Sequence, residues 1–218
     1  MNEQDNLVSD QEKFTEALLK GSYSKALSIA HKYALSHDMI KIFYEQVVKP
    51  SLYRIGELWE YNQITVAAEH LATSLSESVM NELYENIISE DRVSKCVLLG
   101  CVETEHHQVG IKMIADIFEM NGWDTFFLGA NMPTSELIKF SLEKKPDLIA
   151  LSLSVYSHIP YLEKMIIDIQ QKLPCTPLLV GGQAFNNGGD EIMSKYQNVT
   201  FLREFQEIEK FIINFQPL

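Results

Sequence analysis

The sequence predicts an α/β protein in which an N-terminal four-helix bundle precedes a doubly wound, five-stranded parallel sheet of Rossmann or flavodoxin type. Roughly the first 90 residues carry only helical patterns, whereas later residues alternate short apolar runs with helical ones. With 218 residues and 46% hydrophobic side chains, the chain can bury one large core or two smaller ones. We therefore predict a helical domain over residues 1–90 and a Rossmann-like domain over residues 91–218.

Four amphipathic runs make up the predicted bundle. The first contains Ser9 and Glu12 at the spacing of a capping box, so we expect that helix to begin at Ser9 and to stop at Gly21. We expect Pro50 to kink the third run, because proline has no backbone N–H to donate. Short connections between such runs are typical of a small bundle. In order, the runs cover residues 9–21, 22–37, 38–61 and 65–88.

Five apolar runs are predicted to be strands. Four of them are compact, as is typical of a parallel sheet that is covered on both faces. In such sheets ligands bind beyond the carboxyl ends of the strands, where the strand order reverses. Residues 103–110 follow the first strand directly and are therefore expected at that edge. In order, the strands are predicted within residues 95–102, 124–129, 147–154, 177–182 and 199–202.

Charge and cysteine content argue against several classes of protein. The formal net charge of −12 disfavours a nucleic-acid-binding surface, which needs clustered lysine and arginine. The three cysteines have no metal-type spacing and indicate a reducing compartment. The polar N-terminus has no signal-peptide pattern, and no apolar run approaches the roughly 18 residues that a membrane span needs. We therefore expect a cytoplasmic protein that binds neither nucleic acid nor membrane.

Two adjacent histidines follow the first predicted strand. A histidine pair at a helix start is, on its own, more often part of a solvated loop. Here Glu105, His107 and Gly110 form the pattern E-x-H-x-x-G, and the G-x-G-x-x-G pattern of dinucleotide-binding folds does not occur at this turn. His106 is out of register with that pattern and is the rival candidate for any role given to His107.

At these positions the chain resembles the cobalamin-binding domains of methionine synthase, corrinoid methyl-carrier proteins and adenosylcobalamin light sensors. The family pattern is D-x-H-x-x-G, with Glu replacing Asp in the light-sensor branch, then a serine on the third strand and Gly-Gly after the fourth. The resemblance covers essentially the whole chain. The matching residues are Glu105, His107, Gly110, Ser152 or Ser154, Gly181 and Gly182.

This resemblance implies a role for each matching residue. His107 would be the lower axial ligand of cobalt, replacing the cofactor's own dimethylbenzimidazole in the base-off, His-on mode, since imidazole nitrogen is a good cobalt ligand. Glu105 would accept the other ring N–H of that histidine. Gly110, Gly181 and Gly182 would leave space for the displaced nucleotide tail. The serines would offer hydroxyl groups along it.

A second pattern lies in the helical half. Trp59, nine intervening residues, and then Glu69 and His70 form W-x9-E-H, which resembles the adenosyl-binding signature of cobalamin photoreceptors. The resemblance implies that this end of the bundle caps the upper face of the corrin. Trp59 would pack on the adenosyl group, and the two polar residues would make hydrogen bonds to it. The alternative is an interhelical tryptophan beside two polar residues on a solvated face.

The favoured function is an adenosylcobalamin-binding light sensor or regulator, not an enzyme, in which photolysis changes the domain arrangement or the oligomeric state. Only about eight polar residues precede the first predicted helix, too few for a helix-turn-helix, so the output is expected to pass to a separate protein partner. Glu60 follows Trp59, whereas light sensors of this group often carry a histidine nearby. A stable bis-histidine lit state is therefore not predicted.

Two other functions remain open. A corrinoid methyl carrier, the non-catalytic subunit of a methyltransferase system, would bind methylcobalamin or another corrinoid. It would not need Trp59, Glu69 and His70, because methyl transfer requires an open upper face, and it usually has Asp where this chain has Glu105. A cobalamin reservoir or a dark sensor of cobalamin is not separated from the light sensor by sequence, since light sensitivity belongs to the cofactor.

Overall fold

A computed structural model describes residues 3–216, apart from the side chains of residues 3–5, 187, 190 and 193. The predicted fold class is confirmed: a helical N-terminal part is followed by a five-stranded parallel sheet with helices between its strands. The chain divides into two compact units between Ile88 and Ser89. Residues 1, 2, 217 and 218, at the outer ends of the two predicted domains, lie outside the described residues.

The first unit is helical. Its α-helices are α1 (Glu3–Leu19), α2 (Tyr23–Ala30), α3 (His37–Phe43), α4 (Lys49–Glu60) and α5 (Val66–Glu82). The prediction that the first helix begins at Ser9 is wrong, because α1 already includes residues 3–8, where no Gly or Pro interrupts it. The buried Asp10 accepts hydrogen bonds from Lys32 and Tyr33 and holds this part of α1 in the bundle.

Pro50 lies in the first turn of α4, where helices tolerate proline. The five residues Tyr44–Val48 form a π-helix that joins α3 to α4, and the N–H of Lys49 donates to the carbonyl of Tyr44. This wider turn accommodates the proline without ending the helix. The core beside it is aromatic, with the Phe43 ring in edge contact with Phe14 at 5.3 Å between centroids.

The second unit is a doubly wound sheet in which all five strands are parallel. Its strands are β1 (Cys96–Cys101), β2 (Asp124–Gly129), β3 (Leu148–Ser152), β4 (Leu178–Gly181) and β5 (Val199–Phe201), in the spatial order β2-β1-β3-β4-β5. Each lies within a run that the sequence predicts to be a strand. The helices are α6 (Val109–Met120), α7 (Thr134–Lys144), α8 (Ile159–Lys172), α9 (Asp190–Met193) and α10 (Phe205–Asn214).

The strand order creates a switch point at β1. The chain leaves β1 for β2 on one side and reaches β3 on the other, so the loops after β1 and β3 diverge at the carboxyl edge of the sheet. Cys101 pairs with Ser152, which pairs in turn with Gly181, so the segments after β1, β3 and β4 meet at one edge. None of the described helices is long and apolar enough to span a membrane.

Candidate functional site

Glu105 is the centre of the hydrogen-bonded site at the carboxyl edge of the sheet. It lies in the loop between β1 and α6, and its side chain is completely buried. One carboxylate oxygen accepts bonds from the N–H of His107 at 2.9 Å and from His107 Nδ1 at 2.5 Å. The other accepts the backbone N–H groups of Ser154 at 2.7 Å and Val155 at 3.0 Å. The carboxylate therefore joins the loop after β1 to the segment after β3.

These bonds keep Glu105 ionised. Burial by itself raises the pKa of a carboxyl group, because the charged form loses its hydration. Here the bonds from the side chain and backbone of His107 and from the N–H groups of Ser154 and Val155 outweigh burial and lower the pKa of Glu105 to about 2. At neutral pH the group is an anion that only accepts hydrogen bonds.

The imidazole of His107 is oriented by this anion. Because Glu105 accepts from Nδ1, the neutral ring carries its lone pair on Nε2. The side chain is 63% exposed, so the ring is held by one nitrogen while much of its surface is accessible. This is how histidine metal ligands are commonly oriented, with the second ring nitrogen bonded to a carboxylate.

His106, the rival candidate, is exposed and makes no hydrogen bond or ring contact to the residues that the structure describes. Across those same residues, no cluster of three or more His, Cys, Asp or Glu side chains could hold a metal ion. The edge can thus offer a metal one oriented imidazole. A single imidazole suits a metal whose other positions are filled by a macrocycle, as in haem proteins with one proximal histidine.

The predicted serines lie next to Glu105. Ser152 ends β3 and is buried, and its carbonyl accepts the backbone N–H of Val102 at 3.1 Å. Ser154 is half-buried and contributes its backbone N–H to Glu105. That backbone role was not part of the sequence prediction, which assigned the serines hydroxyl contacts.

The three predicted glycines differ in what surrounds them. A Cβ at Gly182, where φ is +120°, would collide with the backbone of Leu153, and one at Gly181 would lie 2.7 Å from the carbonyl oxygen of Leu202. The chain itself therefore requires glycine at both positions. A Cβ at Gly110, in the first turn of α6, would meet nothing within 4 Å. Glycine inside a helix costs about 1 kcal/mol relative to alanine, and no packing within the chain explains it here.

Sequence reasoning missed the loop between β2 and α7. Asn131, in the stretch Gly-Ala-Asn-Met-Pro, has a left-handed φ of +49° and bonds to Thr104 and Glu105. His158, after β3, places Nδ1 3.5 Å from the hydroxyl of Thr104. The asparagine between a glycine and a proline is a turn signal that points to this loop, although not to its contacts.

The residues of the W-x9-E-H pattern lie at one end of two consecutive helices. Trp59 is next to last in α4 and half-exposed, and Glu69 and His70 lie in the first turns of α5. Residues 61–65 connect the two helices, and the side chain of Thr65 caps α5 by accepting from Ala68. Glu69 accepts bonds from His70 Nδ1 at 2.6 Å and from the hydroxyl of Thr73 at 2.8 Å.

Comparison with known proteins shows which family the chain belongs to. Residues 95–208 match the B12 binding domain family, which is more than half of the chain. The chain belongs to the B12 binding domain family. Residues 10–84 match a second B12 binding domain family, so both units have counterparts among cobalamin-binding proteins. The family membership confirms the resemblance found in the sequence and makes cobalamin, or a related corrinoid, the ligand of this chain.

Two curated relatives are transcriptional regulators. The HTH-type transcriptional repressor CarH of Myxococcus xanthus is 28% identical over 143 residues, which are 65% of this chain and 47% of that protein. The HTH-type transcriptional repressor CarA of the same organism is 27% identical over 120 residues, 55% of this chain and 41% of that protein. The chain spans less than half the length of these two relatives.

Solved corrinoid proteins have the same fold. The monomethylamine corrinoid protein of Methanosarcina barkeri matches with a TM-score of 0.75 at 12% identity, over 93% of this chain and 96% of that chain. The methanol:cobalamin methyltransferase complex MtaBC from Methanosarcina barkeri matches with a TM-score of 0.51 at 13% identity, over 95% and 81% of the two chains. At such identities these likenesses establish the fold alone.

The residues at the sheet edge fit a corrinoid. His107 offers one imidazole whose tautomer is set by an ionised carboxylate, as a cobalt ligand requires. Gly110, one turn further along the chain, leaves open space beside the helix start where no chain atom would meet a side chain. A group from outside the chain that approaches this helix turn would account for the glycine.

Proposed function

We propose that this chain is an adenosylcobalamin-binding light sensor or regulator that holds cobalt in the base-off, His-on mode through His107. The observation that carries the proposal is the buried, ionised Glu105 bonded to Nδ1 of an exposed His107. Its role is signalling and not catalysis.

His107 would hold cobalt through Nε2, and Glu105 determines which ring nitrogen is available. The anion makes the ring more basic and keeps it from rotating, because Glu105 is itself held by the segment after β3. Gly110 would leave room for the nucleotide tail, and Ser152 and Ser154 would offer hydroxyl groups to it. For Gly181 and Gly182 the tail is a second reason for glycine, in addition to the chain packing.

In this proposal Trp59, Glu69 and His70 would contact the adenosyl group. A half-exposed tryptophan at a helix end has a large rigid surface to pack on a purine or a ribose. Glu69 has two bonds within its own helix, and carboxylate oxygens have lone pairs for further donors such as ribose hydroxyls. His70 is 76% exposed and can change rotamer to make a contact.

When bound, adenosylcobalamin supplies a cobalt–carbon bond that visible light breaks. Contacts that Trp59, Glu69 and His70 make only to the adenosyl group are then lost, and this difference in binding free energy is what a two-state switch needs. We propose that the output passes to a separate protein partner, as a change in oligomeric state or in contact.

The runner-up function is a corrinoid methyl carrier. The likeness to the monomethylamine corrinoid protein extends over nearly the whole of both chains. The matches to the two repressors cover less than half of those proteins. The helix-end cluster of Trp59, Glu69 and His70 favours the sensor, because a methyl carrier has no adenosyl group for it to contact. Glu105, at the position where methyl carriers usually have Asp, also favours the sensor.

The test is reconstitution with adenosylcobalamin in darkness, with absorption spectra and size-exclusion chromatography before and after green light. We expect a red, base-off, His-on spectrum that changes on illumination, together with a shift in elution volume. Binding without any light-dependent change in spectrum or assembly would contradict a light sensor. Tighter binding of methylcobalamin than of adenosylcobalamin would instead support the methyl carrier.

A further inference from the structure

The loop after β2 is bonded to the loop that carries His107. The amide oxygen of Asn131 accepts the backbone N–H of Thr104 at 2.9 Å, and the N–H of Asn131 donates to the carbonyl of Glu105 at 2.7 Å. One residue thus binds two consecutive residues of the other loop. These are the two residues immediately before His106 and His107 in the chain.

Further bonds join the same two loops on either side of this contact. The amide oxygen of Gln108 accepts the N–H of Ala130 at 3.0 Å. The carboxylate of Glu103 accepts the hydroxyl of Thr134 at 3.0 Å. The segment with the predicted cobalt ligand is therefore bonded at its start, middle and end to a loop that contributes no predicted site residue.

The backbone at the centre of this contact is strained. Thr104 has φ of +76°, a left-handed value that is a genuine outlier for a β-branched residue. Such a conformation persists only where its surroundings impose it, and it is common at ligand sites. Asn131 has φ of +49°, which asparagine tolerates better than most residues. The bond to Asn131 is the described contact that holds the N–H of Thr104.

We propose that Asn131 is a positioning residue that holds the loop of Thr104 and Glu105 in the conformation that His107 needs to bind cobalt. The proposal rests on the proposed function, in which His107 is the axial ligand. Glu105 is bonded through its carbonyl to Asn131 and through its carboxylate to Ser154. Glu105 is therefore held both by the loop after β2 and by the segment after β3, which lie on opposite sides of β1 at the switch point of the sheet.

The physical argument is one of preorganisation. His107 is bonded to a carboxylate whose backbone follows a strained residue, so relaxation of Thr104 would move Glu105 and turn the imidazole. Loss of a partner outside the metal's own ligands typically weakens metal binding by about 10- to 100-fold. Asn131 makes no described contact to His107. It therefore acts on His107 only through Thr104 and Glu105.

Three substitutions separate the backbone role of Asn131 from its amide. Asn131→Ala removes the acceptor and disfavours a left-handed φ. Asn131→Gly removes the acceptor but allows that φ freely. Asn131→Asp keeps an acceptor oxygen. The matched control is Asn198→Ala, because Asn198 is another exposed asparagine with a left-handed φ of +57°, placed before β5 at the opposite edge of the sheet.

The measurements are the dissociation constant for adenosylcobalamin in darkness, the His-on fraction from the absorption spectrum, and urea denaturation of the cofactor-free protein. We expect Asn131→Ala and Asn131→Gly to weaken binding by about 10-fold and to lower the His-on fraction. Asn131→Asp should stay within about threefold of the unsubstituted protein. Asn198→Ala should keep both the affinity and the spectrum, whatever it does to stability.

His107→Ala is included to separate this proposal from the proposed function. If His107→Ala abolishes the His-on spectrum while Asn131→Ala and Asn131→Gly leave spectrum and affinity unchanged, Asn131 is not a positioning residue and the proposed function stands. An unchanged spectrum in His107→Ala would overturn both. Equal losses of affinity in Asn131→Ala and Asn198→Ala would reduce the effect to general destabilisation and would also overturn the inference.

Discussion

The molecule contains two pairs of glutamate and histidine with nearly the same geometry and very different surroundings. Glu105 and His107 are 2.5 Å apart across Nδ1, and Glu69 and His70 are 2.6 Å apart across the same atom. Glu105 is completely buried and is bonded to residues after β3, whereas the side chain of Glu69 is 20% exposed and its bonds stay within α5. The first pair joins segments that are far apart in the chain, whereas the second pair makes bonds only within one helix.

The two pairs therefore contribute differently to the protein before any ligand binds. Glu105 stabilises the protein and orients His107 at once, so the lower side of the proposed cobalamin site is preorganised in the chain. Glu69 and His70 have polar atoms at the surface whose other partners would be solvent or ligand. Substitution of Glu105 should affect folding and binding, whereas substitutions in the second pair should affect mainly binding.

The largest predicted effect is that of Glu105→Ala on stability. It leaves the N–H groups of the half-buried Ser154 and Val155 without their acceptor, at a cost of up to about 1–3 kcal/mol for each unsatisfied group. We expect the free energy of unfolding of the cofactor-free protein, measured in urea, to fall by about 2–4 kcal/mol. Glu69→Ala should lower it by no more than about 1 kcal/mol, because the bonds that it loses stay within α5 and are made to groups near solvent. Equal losses in the two variants would abolish the contrast between the pairs.

The strands could be predicted from sequence because a parallel sheet buried on both faces requires apolar runs, and five such runs were present. The pattern E-x-H-x-x-G pointed to the correct edge for the same reason, since it follows the first of those runs. The predicted start of α1 at Ser9 is wrong, because a capping pattern does not end a helix that has no Gly or Pro before it, and α1 already includes residues 3–8.

The contacts of Asn131 could not be predicted, because they join residues about 27 positions apart and their partners in the other loop are backbone groups, which carry no sequence signal. The strain at Thr104 is also invisible in sequence, since a threonine does not indicate a positive φ. The roles of Gly181 and Gly182 were interpreted as space for a ligand, whereas the structure also shows backbone of Leu153 and Leu202 in that space.

The next largest effect is expected at the two adjacent histidines. His107→Ala should abolish the His-on spectrum and weaken adenosylcobalamin binding by at least about 100-fold, the upper end of what loss of an outer partner costs. The stability of the cofactor-free protein should change little, because the ring is mostly exposed. His106→Ala is the matched control and should keep the spectrum. A spectrum lost in His106→Ala and kept in His107→Ala would transfer the ligand role to His106.

The pH dependence of stability should also report on the buried carboxylate of Glu105. The pKa of Glu105 is about 2 in the folded protein, below its ordinary value of 4.5. A carboxyl group with a depressed folded pKa stabilises the protein above its unfolded pKa, and this contribution is lost as the pH falls from about 4.5 to about 2. We expect the loss to amount to about 2–3 kcal/mol in the free energy of unfolding.

Other carboxyl groups titrate in the same range, so the comparison is with Glu105→Gln. The difference in stability between that variant and the unsubstituted protein should shrink as the pH is lowered through this window. A constant difference for Glu105→Gln at all pH values would mean that the carboxylate charge is not what stabilises the loop.

The smallest effect is expected for Trp59→Ala, at the exposed end of the helical unit. Trp59 is 50% exposed, so its removal should leave the stability of the cofactor-free protein within about 0.5 kcal/mol. An aromatic contact to the adenosyl group is worth about 1.5 kcal/mol, which corresponds to about 10-fold weaker binding of adenosylcobalamin. Methylcobalamin has no adenosyl group, and its dissociation constant should therefore stay within about twofold, as measured by spectroscopic titration in darkness.

Tyr61→Ala is the control for this prediction, because Tyr61 is an even more exposed aromatic residue two positions further along the chain. It should alter neither dissociation constant. If Trp59→Ala weakened both cobalamins equally, the tryptophan would contact the corrin and not its upper ligand. The helix-end residues would then no longer favour a sensor over a methyl carrier, and the contrast between the two Glu–His pairs would concern stability alone.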